Sequence, residues 1–116
     1  MAAATEPSAA IRFEGYSPGT EIWGATQANF LVSAPGHHAK EAAVLLNLPA
    51  AAMLAADLGK DDSPEFREAA ARAVGYAALT DILARGAHFD SALIGSRAYL
   101  EEHPSVLSAA RAALAE

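Results

Sequence analysis

The chain has no cysteine, so disulfides, thiolate metal ligands and thiol nucleophiles are excluded together. Positive charge is scarce: 8 Lys+Arg stand against 14 Asp+Glu over 116 residues, a formal charge of −6. That balance argues against general phosphate-backbone binding, which needs a dense cationic face. Bulky side chains are also few. The apolar fraction is 53 %, yet 31 of those residues are alanine and only 27 are Val, Ile, Leu, Met, Phe or Trp. At about 25 cal/mol per Å² of buried apolar surface, an alanine-rich interior packs closely but yields a thin core. Sharing apolar surface between subunits is a natural remedy, and homo-oligomerisation is expected.

The first ten residues have no cationic start and no apolar core of a signal peptide, so they read as a flexible tail on a cytoplasmic protein. The most membrane-like stretch, 42–56, contains Asn47 and Pro49 and is shorter than the ~20 apolar residues a spanning helix needs. No membrane contact is expected.

Residues 11–116 read as one compact domain, divided near Pro35. In 11–34, Ile11 and Phe13 alternate with Arg12 and Glu14 at period 2, and Ser17-Pro18-Gly19 is a turn signal. A β-hairpin is predicted, with Gly24 and the small residues near Thr26 placed to bend or bulge its second arm. From Gly36 to 115 the composition is helical. The spacing predicts helices over 37–46 and 50–58, separated by Asn47-Leu48-Pro49, with Gly59 as a left-handed cap. A third runs from an N-cap at Ser63 to Arg85 and Gly86, with Phe66, Ala70, Val74, Ala78 and Ile82 as its apolar stripe. A fourth is predicted from Asp90 as N-cap to Glu102, and a fifth from Pro104, with Val106, Leu107, Ala110 and Leu114 on one face. The fold class expected is therefore α+β, mainly α: an N-terminal hairpin followed by about five short Ala-rich helices.

Four features could carry chemistry. Residues 40–58 resemble a helix-turn-helix in their apolar phasing, through Ala42, Leu46, Leu48, Met53 and Ala56. The would-be reading helix, AAAMLAADL, offers no donor to base edges or phosphates, so no nucleic-acid binding is expected. In SAPGHHAKE, a turn opens a helix bearing His37, His38, Lys40 and Glu41, a setting suited to an anion. Helical spacing would put His37 or His38 beside Glu41, giving two ligands of a metal site or an imidazole–carboxylate pair for acid–base work; no third ligand is identifiable. These three are the weak catalytic candidates. His88, Asp90 and His103 fall in turns, where polarity alone accounts for them. Of the aromatics Phe13, Tyr16, Trp23 and Phe30, Phe13 belongs with Ile11 in the core, whereas Tyr16 and Trp23 sit near the turn. Tyr16, Trp23, Lys40 and His88 are the ligand-binding candidates.

No Walker, dinucleotide, G-x-S-x-G or H-E-x-x-H pattern is present. The leading expectation is a small, soluble, acidic interaction or assembly protein that homo-oligomerises or binds a protein partner. The rival is a small ligand-binding or enzymatic domain with an anion or metal site at the helix start 36–41, formed within one subunit or between subunits.

Overall fold

The structure, a computed structural model, describes residues 10–17, 24–33, 39–86 and 92–115. Its elements follow in the order β1 (Ala10–Ser17), β2 (Ala25–Ser33), β3 (Lys40–Asn47), α1 (Leu48–Leu58), α2 (Pro64–Ala84), β4 (Ala92–Gly95), α3 (Arg97–Glu102) and α4 (Pro104–Leu114). The strands form one sheet in the order β1-β2-β3-β4, antiparallel across the first two pairings and parallel between β3 and β4. Among the described residues, a four-stranded mixed sheet with four helices thus replaces the expected hairpin with about five helices.

The correction begins at residues 40–47, where a helix was expected and β3 stands. Ala42, Val44 and Leu46 are buried, while Ala43 and Leu45 between them are half-buried. Apolar residues therefore stand on both faces of this strand, and its period of two leaves no contrast in hydropathy. The helix-turn-helix phasing is overturned with it, because its first helix is a strand. Asn47 is not a turn residue between helices but the N-cap of α1, its Oδ1 accepting from the Ala50 N–H at 3.1 Å.

The second correction concerns the fourth helix. Residues 92–95 form β4, parallel to β3, and helix begins only at Arg97. Ser96 Oγ caps it by accepting from the Tyr99 N–H at 3.1 Å; Asp90, the expected cap, lies outside the described residues. Ser63, by contrast, caps α2 as its position predicts, through the Phe66 N–H at 3.1 Å. Gly59 and Gly86 end α1 and α2 in the left-handed conformation, at φ 65° and 66°.

The hairpin start is seen, but its bulge is in the first arm. The register shifts between Phe13 and Gly15, and Gly15 has φ 127°. The extra residue brings Tyr16 opposite Ala28, on the same face as Phe13 opposite Phe30. Without it, Tyr16 would turn to the other side of the sheet.

One core joins the inward residues of β2 and β3 (Ala28, Phe30, Val44 and Leu46 among them) to all four helices. α2 crosses the sheet, touching all four strands, and α4 packs beside it. Gly75 of α2 lies directly over Phe30 and Val44. Leu31, Ala43, Leu45 and Ile94 are not in this core or packed against it.

Candidate functional site

Two surfaces result from this arrangement. The first is the sheet face turned away from the helices. Alternation places Gln27, Asn29, Leu31, Glu41, Ala43 and Leu45 there. Leu45 pairs with Ile94 of β4, which is 57 % exposed despite its size. Beside this apolar strip, the Gln27 amide donates to Asn29 Oδ1 at 2.8 Å, and Asn29 Nδ2 donates to Ser17 Oγ at 2.9 Å. These side chains, with Glu14 and Glu41, border a shallow polar recess of about 430 Å³.

The second surface is a groove of about 930 Å³ between β1, α2 and α4. Ile11, Phe13 and Tyr16 form its β1 side, while Ala69, Ala73 and Ala77 of α2 and Ala109 and Ala113 of α4 line it with side chains too short to fill it. Phe13 meets Tyr16 edge-on at 4.9 Å between centroids and Phe30 at 5.7 Å, so its ring is fixed from two sides. The Arg72 guanidinium lies 4.4 Å above the Phe13 centroid. Burial raises the Tyr16 pKa, the nearby Glu68 carboxylate raises it further, and Arg72 opposes both. The phenol therefore stays protonated at neutral pH as a hydrogen-bond donor at the groove wall.

Of the residues singled out from the sequence, Tyr16 lines this groove. Lys40 opens β3 opposite Val32, and Glu41 is exposed on the bare sheet face. Because 40–47 is a strand, the helical spacing that would bring Glu41 beside His37 or His38 is not the geometry of this segment. His37, His38, Trp23 and His88 lie outside the described residues. His103 follows α3, stacked on Tyr99 at 4.2 Å; its Nδ1–H donates to the Tyr99 carbonyl at 2.8 Å. Among the described residues, no three His, Asp or Glu side chains converge as a metal site would require.

Sequence reasoning missed Arg72 and the alanines around it. Arg72 follows Glu68 at helical spacing and reads as surface charge, and alanine carries no signal of a groove. No family model matches the chain, and the comparisons with curated proteins and with solved structures found no match.

Proposed function

We propose that this chain is a small, acidic, non-catalytic interaction protein that assembles with a second copy of itself through the bare face of its sheet. The observation that carries the reading is the strip Leu31, Ala43, Leu45 and Ile94, which lies outside the core although every described helix packs into that core from the other face. A sheet with apolar side chains on both faces is completed by a second layer, and a twofold contact lets one patch serve both subunits. The rim suits a copy of itself because it carries both signs, Arg12 and Glu14 on β1 and Glu41 two strands away across Leu31. A nucleic-acid partner is disfavoured by the charge of −6. We place the protein in the cytoplasm; none of the described helices is long and apolar enough to cross a membrane.

Size-exclusion chromatography with light scattering, over a concentration series, tests this. The native chain is expected at twice its monomer mass, and Leu45→Glu or Ile94→Glu at the monomer mass with unchanged circular dichroism. A native chain that stays monomeric throughout sinks the proposal.

A further inference from the structure

The groove between β1, α2 and α4 lies apart from the sheet face proposed for assembly. Five of the six arginines are in ion pairs: Arg12 with Glu14, Arg67 with Asp62, Arg85 with Asp81, Arg97 with Glu101 and Arg111 with Asp57. Arg72 alone among them makes no such pair with the described residues, in a chain where acids outnumber bases. It is held over Phe13 at the β1 side of an apolar trough instead. A guanidinium anchored on a ring face keeps its N–H donors directed outward for a planar anion.

We infer that the groove binds a single-chain amphipathic carboxylate, its head group paired with Arg72 and its alkyl chain laid along the alanines of α2 and α4. An amphiphile with one charged end matches a trough that has, among the described residues, one unpaired cation at its β1 side. From Arg72 to Ala84 the wall runs about 18 Å at 1.5 Å per residue. The groove, of about 930 Å³, is within the range of small-molecule sites. One arginine matches one monovalent head group, and the Glu68 carboxylate that bears on Tyr16 beside it opposes a dianion, such as a phosphate monoester, more strongly than a monoanion. Toward the far end of the wall, Asp81 is already held by Arg85 at 3.0 Å. Beyond Arg72, the groove is lined mainly by alanine and aromatic carbon, which the alkyl chain covers.

The experiment is calorimetric titration of the full chain with dodecanoate and, separately, dodecanol, each below its aggregation concentration. Dodecanoate is expected to bind at least tenfold more tightly than dodecanol. Arg72→Gln, an exposed substitution that should leave the circular dichroism unchanged, is expected to reduce dodecanoate to the affinity of the alcohol. Leu45→Glu is expected to bind dodecanoate as the native chain does, whatever its mass, so failure of assembly and failure of this site are read separately. Equal binding of acid and alcohol, full retention of dodecanoate binding in Arg72→Gln, or a lowered melting temperature with dodecanoate each overturns the inference.

Discussion

Gly75 of α2 stands so close to Phe30 of β2 that a Cβ there would lie 2.5 Å from the ring Cε1 and 2.7 Å from Cζ. Val44 Cβ would be 3.2 Å away on the other side. The ring cannot swing clear, because Phe30 is 1 % exposed and Phe13 packs against it. Glycine is therefore what lets the helix settle on the sheet. Gly75→Ala gains about 1 kcal/mol of helix propensity, but overpacking costs typically 1–3 kcal/mol. A net loss of up to about 2 kcal/mol is expected in urea denaturation. Phe30→Leu should make the alanine less harmful than it is in the native background, and strict additivity of the two losses contradicts the steric account.

Tyr99 has a buried hydroxyl without a hydrogen-bond partner among the described residues. Its ring stacks on His103 at an interplanar angle of 23°, and that contact does not need the oxygen. Tyr99→Phe keeps the ring and removes a desolvated donor. Unsatisfied buried groups cost about 1–3 kcal/mol, so the variant is expected to gain about 1 kcal/mol in urea unfolding at neutral pH. A loss would mean that the hydroxyl has a favourable partner in solution.

The same tyrosine gives the protein a defined response to alkali. Burial raises the Tyr99 pKa, Asp81 raises it further, and Arg85 opposes them; Tyr16 is raised in the same direction. The unfolded chain loses these protons first, near the ordinary value of 10.0. Below that pH both states are protonated and the stability is fully present. Above it the unfolded state binds fewer protons, so stability falls as pH rises through the elevated folded-state values. Urea midpoints measured upward from pH 9 should fall less steeply in Tyr16→Phe/Tyr99→Phe than in the native chain. Parallel curves would refute the assignment.

The elements legible from the sequence are those with punctuation at their ends. Ser63-Pro64 and Arg85-Gly86 bracket α2, and its buried stripe is the one that helical spacing selects. β3 was illegible because Ala43 and Leu45 are as apolar as their inward neighbours, and alanine favours helix wherever pairing does not override it. Asn47 reads as a break between helices and Ser96 falls inside the predicted fourth helix, yet both cap helices that directly follow strands. The groove was hidden for a different reason. It arises from what α2 and α4 lack, and the significance of Arg72 depends on where every other arginine finds its acid.

Gly15 differs from Gly75 in the reason it must be glycine. A Cβ at Gly15 would meet nothing within 4 Å, so space is not the constraint. Its φ of 127° is, since side-chain-bearing residues rarely adopt it. Gly15→Ala is expected to cost about 1–3 kcal/mol of backbone strain, and shrinking Phe13 or Phe30 should recover none of it. The chain has one escape, which is to lose the bulge and slip β1 by one residue. That slip turns Tyr16 away from the groove and leaves the hairpin's pairing with β2 shortened. Tyr16 fluorescence is obscured by Trp23, so the slip is best read from amide cross-peaks between β1 and β2. Retention of the Tyr16–Ala28 pairing at a cost of about 1 kcal/mol or more is the expected result, and a variant as stable as the native chain with that pairing kept would remove the strain argument.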